Sequence, residues 1–220
     1  MLQEKGGGGF PYVIFMDQSG AVLTDSFLFP ESLEVLDEAK ATAMKNAKEL
    51  DDLRAKAKAN PKDEAAAGAL KLALALRRVG KVSPEEFAKL EKLKGIPKDL
   101  IDRYKVTVVA NQLEELDMNA RRKATSREEY EAALLPAVFE LFKSGARLPI
   151  DHEAAQTLYG AAFDHAIAIS DPETGQKAYD MLEKTLLKIA EDRPQYALRI
   201  KKDLKDRAKK LAELAPAGAR

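Results

Sequence analysis

The sequence predicts a mainly α-helical protein, built of antiparallel helix hairpins and carrying a short β-hairpin near its N-terminus. Two observations support this fold class. Apolar residues recur at helical spacing from about Ser32 almost to the end of the 220-residue chain. Strand-type patterning ends before Pro30, because the apolar runs at residues 13–16 and 21–23 are its only two examples.

The N-terminal hairpin is predicted from its turn. Residues 17–20 read Asp-Gln-Ser-Gly, and the glycine provides the positive φ that such a turn needs. After Pro30 the apolar period changes, and a first helix is expected from Ser32, a typical N-cap residue, to Pro61.

Prolines, glycines and capping residues bound the later helices. We expect them at about 63–79, 83–95, 97–124, 130–143, 151–170, 173–192 and 193–215. Pro84 suits a first helical position, and Ser126 with Glu129 has the pattern of a capping box. The chain therefore has roughly eight helices joined by short loops.

Composition narrows the range of partners. Lys plus Arg and Asp plus Glu each number 36, so no overall charge attracts nucleic acid or anionic lipid. No apolar run reaches the length of a membrane span and no export signal is recognisable, so we expect neither nucleic acid nor membrane as a partner, and a cytoplasmic location by default. Cysteine is absent, which removes disulfides, thiolate metal ligands and cysteine nucleophiles.

Two stretches alternate small and large residues where paired helices would cross. The first passes through Asn60, Pro61, Leu70, Ala73, Leu76, Gly80, Phe87, Leu90 and Pro97, and the second through Asp151, Leu158, Gly160, Phe163, Ala178, Leu182 and Pro194. Both resemble tetratricopeptide repeats, whose period is ~34 residues, although the chain has no Trp and residues 97–145 do not fit the period. The resemblance implies a helical-repeat-like domain over residues 51–220 that binds a protein or peptide. A plain bundle of helix hairpins is the alternative.

The N-terminal stretch GFPYVIFMDQSGAVL, residues 9–23, resembles the second half of a thioredoxin-like domain. The resemblance implies that Pro11 is the family's cis-proline, and that residues 1–50 form a partial domain of hairpin plus helix. Phe10 departs from the small or β-branched residue usual before that proline, and the half with the Cys-x-x-Cys motif is not in this sequence. Dithiol exchange needs a thiolate, so we expect the chain to be redox-inactive.

The predicted strand at residues 13–16 is apolar on both faces and needs to be covered. Either the helical region packs on the hairpin, or a second copy of the chain pairs with its exposed edge. We expect the second arrangement, a homo-oligomer formed through the N-terminal hairpin, with the helices after Pro61 folding separately.

Other chemistry-bearing residues are few. His152 and His165 are thirteen residues apart, which is not the spacing of two metal ligands on one helix face. The carboxylate pairs at 51–52, 114–115 and 128–129, the glycines at 6–9, and the basic stretches at 121–123 and 201–210 are interpreted as solvated or flexible segments. We therefore predict no catalytic, cofactor-binding or metal-binding residue.

Three function classes follow. The first is a protein–protein interaction or scaffold module built of helical hairpins, which we favour over an enzyme. The second is a fragment of a thioredoxin-like thiol-disulfide oxidoreductase whose cysteine-bearing half is missing. The third is a hydrolase or metal enzyme whose site the residue spacing does not reveal.

Overall fold

The structure is a computed structural model that describes residues 13–27 and 33–214. Within these ranges it contains one two-stranded antiparallel sheet and eight α-helices, which confirms the predicted fold class. The chain divides into two compact units, unit 1 up to Lys105 and unit 2 from Val106. The boundary expected near residue 50 falls inside the first helix. Across the described ranges, no helix combines the length and the apolar character needed to cross a membrane.

The elements follow each other in simple order. They are β1 (Val13–Met16), β2 (Val22–Phe27), α1 (Leu33–Ala59), α2 (Glu64–Leu76), α3 (Pro84–Leu90), α4 (Lys98–Lys123), α5 (Arg127–Lys143), α6 (Ala155–Ala168), α7 (Pro172–Asp192) and α8 (Ala197–Leu214). A short 3-10 turn, Pro194–Tyr196, precedes α8. The boundary between the two units lies within α4.

Asp17 organises the turn of the hairpin. Its Oδ1 accepts hydrogen bonds from the backbone N–H groups of Ser19, at 2.8 Å, and Ala21, at 3.0 Å. Gly20 follows at φ +80°, as the sequence predicts. Arg54 of α1 binds Asp17 Oδ2 at 2.8 Å and so ties the turn to the first helix. Burial raises the pKa of the Asp17 carboxyl, but the hydrogen bonds from Ser19, Arg54 and Ala21 outweigh it and lower the pKa to about 2.

The start of β2 is covered within the chain. Ala21, Val22 and Leu23 are buried, and α1 packs along this strand. Val22 N–H donates to the carbonyl of Arg77 at the end of α2, and Asn46 of α1 donates to the carbonyl of Leu23. The first of the two arrangements, helices packing on the hairpin, thus describes β2.

Self-association through the hairpin stays a prediction that concerns β1. Among the described residues no third strand pairs with β1, and the Met16 side chain is 44% exposed. The pairing of β1 with β2 is irregular, running from Val13 opposite Phe27 to Met16 opposite Val22, which is typical of a bulged hairpin.

Unit 2 is built around one apolar core. The helices α5, α6, α7 and α8 pack in chain order, each against the next. The core includes Leu134, Val138, Phe142, Ala155, Leu158, Tyr159, Ala162, Phe163, Ala178, Leu182, Leu186, Ile200 and Leu204. Inside it, the Tyr159 hydroxyl accepts from the backbone N–H of Leu148 at 2.9 Å and donates to that residue's carbonyl at 2.5 Å. The loop before α6 is therefore fixed from within the core.

Candidate functional site

Unit 2 contains an open groove that four helices line, which we call the α5–α8 groove. Its volume is about 1030 Å³. It is lined by Arg127, Tyr130, Glu131, Leu134, Leu135, Gln156, Thr157, Gly160, Ala161, Asp164, Ile167, Leu182, Leu186, Asp203, Asp206, Arg207 and Lys210.

Small residues on α6 give the groove its depth. Gly160 and Ala161 lie on the α6 surface that lines it, and Leu182 and Leu186 of α7 lie buried beneath. The nearest heavy atom to a Cβ built on Gly160 would be Leu182 Cδ1, at 4.0 Å. Gly160 and Leu182 both belong to the second repeat-like stretch of the sequence, and the structure brings them together at the floor of the groove.

Arg207 holds α8 to α6 at the rim. Its Nη1 binds Asp164 Oδ1 at 2.7 Å, and its Nε binds the carboxylate of Asp203 at 3.1 Å. The guanidinium carbon also lies 5.3 Å from the centroid of the Phe163 ring, within the range of a cation–π contact. Arg207 is thus fixed in place by neighbours on two helices.

The pKa of Asp164 is raised, which is unusual for a surface aspartate. Burial raises its pKa, and the nearby Asp203 carboxylate raises it further. The cations Arg207 and Lys210 lower the pKa but do not compensate for this burial. The ionised form of Asp164 is therefore less stable in the folded protein than in water.

The α5 side of the groove has its own polar contacts. Arg127 Nε binds Glu131 at 2.8 Å, one turn further along the helix. The Tyr130 hydroxyl donates to Asp117 of α4, while Arg121 lies 5.7 Å from the Tyr130 ring centroid. Burial raises the pKa of Tyr130, and the hydrogen bond to Asp117 adds to this effect.

Unit 1 has a smaller groove of about 570 Å³ between α2 and α3. The two helices approach closely at Gly68, where a Cβ would lie 2.6 Å from Leu90 Cδ2. Lys71 of α2 forms an ion pair with Glu86 of α3 across the groove. This helix pair corresponds to the first repeat-like stretch, and Ser83 caps α3 by accepting from Glu86 N–H, as predicted.

A charge network around one buried arginine in unit 1 was not predicted from the sequence. The Arg77 side chain is only 6% exposed and binds Glu49 Oε2 at 2.6 Å. The other carboxylate oxygen of Glu49 binds Arg103 at 2.5 Å. The hydrogen bond from Arg103 lowers the pKa of Glu49 against the effect of burial, and Arg77 adds to the lowering. The Nε of Arg77 has no hydrogen-bond partner.

The single site residue that the sequence proposed, Pro11, lies outside the described residues, as do the glycines at 6–9. His165 packs edge-on against Phe139, with ring centroids 5.0 Å apart. His152 accepts a hydrogen bond from Ala154 N–H in the loop before α6. Within residues 13–27 and 33–214, no three His, Asp or Glu side chains lie together as a metal-binding group.

The carboxylate pair at 128–129 and the basic stretch on α8 have local roles within their own helices. Glu129 accepts from the N–H and hydroxyl of Thr125, while Ser126 caps α5 by accepting from Glu129 N–H. This is close to the predicted capping box, with the glutamate reaching one residue further back. In the basic stretch of α8, Ile200 and Leu204 are buried and the lysines are exposed.

Comparison with protein families, curated proteins and solved structures found no match to this chain. The thioredoxin-like and tetratricopeptide-like resemblances therefore stay predictions.

Proposed function

We propose that this chain is a protein-interaction module in which the α5–α8 groove takes a peptide segment of a partner protein. The observation that carries the proposal is the groove itself. It combines buried leucines at its floor with charged side chains at its rim, on four helices of one packed core. Rigid helices position such side chains more precisely than loops do.

The dimensions of the groove support a peptide occupant. A helix about 10 Å wide fills roughly 420 Å³ for each 5.4 Å turn, so the volume of the groove, about 1030 Å³, is of the order of a short peptide segment. Apolar contact at the centre with charged groups around it is a common arrangement for peptide recognition by grooves.

Blocking the groove tests the proposal. Thr157 is exposed and lines the groove on α6, so Thr157→Trp would fill the space without disturbing the core. Gln176→Trp places the same side chain at an exposed position on α7 outside the groove and serves as the matched control. Circular dichroism of both variants verifies that the helices remain folded.

The probe is a phage-displayed library of random 12-residue peptides, selected on the full chain. Synthetic copies of the selected peptides are then measured by fluorescence polarisation. We expect Thr157→Trp to weaken binding at least tenfold and Gln176→Trp to leave it unchanged. Selected peptides that bind Thr157→Trp as tightly as the unmodified chain, or a selection that yields no binder, would overturn the proposal.

A further inference from the structure

We propose that residues 205–214 of α8, which we call the α8 wall, are a movable side of the α5–α8 groove that detaches from α6 and α7 to admit the partner segment. The inference rests on the proposed function and adds how its site is opened. It is carried by where α8 is buried, by what attaches its second half, and by how fully the floor of the groove is covered.

The four helices that line the groove are anchored unequally. α5 has four buried residues, α6 seven and α7 five, whereas α8 has only two, Ile200 and Leu204, both in its first half. No residue from Lys205 to Leu214 is buried, and this is the longest stretch without a buried residue in any of the four helices. Because tertiary packing supplies most of the stability of a helix in a protein, we expect the α8 wall to open at the lowest free energy.

Arg207 and Leu211 attach the α8 wall to its neighbours. Arg207 binds Asp164 at 2.7 Å and lies 5.3 Å from the centroid of the Phe163 ring. Leu211 packs against α7 at Gly175, where a Cβ would lie 3.2 Å from Leu211 Cδ1. The side chains of the ion pair are 20% and 43% exposed, and such a pair contributes little to stability. The wall can therefore detach while the rest of unit 2 stays folded.

The floor of the groove needs a wall that moves. Leu182 and Leu186 line the groove, but they are only 1% and 3% exposed, so a partner touches little of either leucine in the closed arrangement. Asp206, Arg207 and Lys210 of the α8 wall line the same groove. Displacement of this wall widens the groove and gives a partner segment more apolar surface to contact.

Detachment has a measurable signature in amide hydrogen exchange. A helix of about ten residues without packing is marginal in water, so a detached wall loses its helical hydrogen bonds. Its amides are therefore expected to exchange as a group, and faster than those of α7.

Hydrogen exchange of the full chain tests the motion. Arg207→Met keeps the apolar stem and removes the ion pair, so we expect it to raise the exchange rates of the α8 wall about three- to tenfold and to leave α7 unchanged. Arg199→Met is the matched control, because Arg199 is exposed on the first half of α8 and does not line the groove. Wall amides that exchange as slowly as those of α7, or that Arg207→Met does not accelerate, would overturn the proposal.

A disulfide tests the role of this motion in binding. Because the chain has no cysteine, Gly175→Cys with Leu211→Cys introduces a single pair of thiols where α7 and the α8 wall approach each other. The oxidised protein has a locked wall, and the same protein with reductant is its control. The probes are selected 12-residue peptides whose binding Thr157→Trp weakens. We expect oxidation to slow their association about tenfold or more, because the open state is no longer populated, and reduction to restore the rate.

The outcomes separate this inference from the proposed function. Groove-dependent peptides that associate equally fast with the oxidised and the reduced protein would overturn the movable wall and leave the interaction function standing. A library that yields no groove-dependent peptide would overturn the proposed function and, with it, the role of the wall in binding.

Discussion

The two units of the chain differ in the groups that they bury. Unit 2 has a continuous apolar core that includes the rings of Phe142, Tyr159 and Phe163. Unit 1 has a buried arginine, Arg77, that binds Glu49 of α1, and Glu49 in turn binds Arg103 of α4. Apolar burial stabilises both units, since unit 1 buries Leu50, Leu72 and Leu100, but unit 1 also buries a charge that needs partners at hydrogen-bond distance.

The largest expected effect is the loss of an aromatic ring from the core of unit 2. Phe163 is fully buried, and Phe163→Ala should reduce the free energy of unfolding of unit 2 by about 3–5 kcal/mol. Urea unfolding followed by hydrogen exchange, read separately for peptides of each unit, measures the change. Phe87→Ala in α3 of unit 1 is the comparison. This ring is only partly buried, so its loss should lower the free energy of unfolding by less. Equal losses for the two variants would mean that burial of the ring does not determine the size of the effect.

The next effect is expected at the buried arginine. Arg77→Met keeps the apolar stem and removes the charge, leaving Glu49 bound to Arg103 alone. Breaking a fully buried pair costs about 3–5 kcal/mol, and we expect about 2–3 kcal/mol here, because Glu49 is partly exposed and Arg77 Nε already lacks a partner.

The loss from Arg77→Met should be confined to unit 1 in hydrogen exchange. Arg121→Met is the control, since Arg121 is exposed and pairs with Asp117 one turn away on its own helix. A stable Arg77→Met protein would mean that apolar contacts, as in unit 2, already suffice for unit 1.

The contrast between the units also explains what could be predicted from the sequence. Leu158, Phe163, Ala178 and Leu182 recur at helical spacing, and burial follows directly from that pattern. The helix ends at Ser83 and Ser126 are local signals of a few residues, and both caps are confirmed.

The Arg77 network could not be predicted in this way. Glu49 precedes Arg77 by 28 residues, and Arg103 follows Glu49 by 54. With 36 basic and 36 acidic residues, the sequence allows far too many pairings, and only the packing of α1, α2 and α4 selects this one. The groove was missed for a similar reason: its small residues on α6 were recognised, but its charged rim depends on how α8 packs.

Two aspartates should give the units opposite responses to pH. The pKa of Asp17 in unit 1 is lowered from 3.8 to about 2. The ionised carboxylate therefore adds to the free energy of unfolding above pH 4, and this contribution is lost as the pH falls toward 2. We expect Asp17→Asn to destabilise unit 1 by about 1–2 kcal/mol at pH 7, since the turn stays near water, and to change little at pH 2.

Asp164 in unit 2 has a raised pKa, so its ionisation opposes folding as the pH rises above 3.8. Asp164→Asn should therefore make the free energy of unfolding of unit 2 less dependent on pH between about 4 and 7. As the pH rises, ionisation of Asp164 lowers the stability of its unit, whereas ionisation of Asp17 raises the stability of unit 1. Urea unfolding of each variant at pH 2, 4 and 7 measures both effects. The same direction of change for both variants would contradict the assignment of burial as the main influence on Asp164.

The smallest effect is expected from removing either of two similar helix caps. Ser83 in unit 1 and Ser126 in unit 2 each accept a hydrogen bond from the backbone N–H three residues later, both at 3.2 Å. Ser→Ala at either position should cost about 1 kcal/mol. Only at Ser126 does a glutamate, Glu129, also reach back to the residue before the cap. With that second contact in place the start of α5 should stay ordered in Ser126→Ala, whereas in Ser83→Ala the seven-residue α3 should exchange its amide hydrogens much faster. Hydrogen exchange of the two helix starts measures this difference, and equal acceleration at both would mean that the cap hydroxyl alone determines how the helix begins.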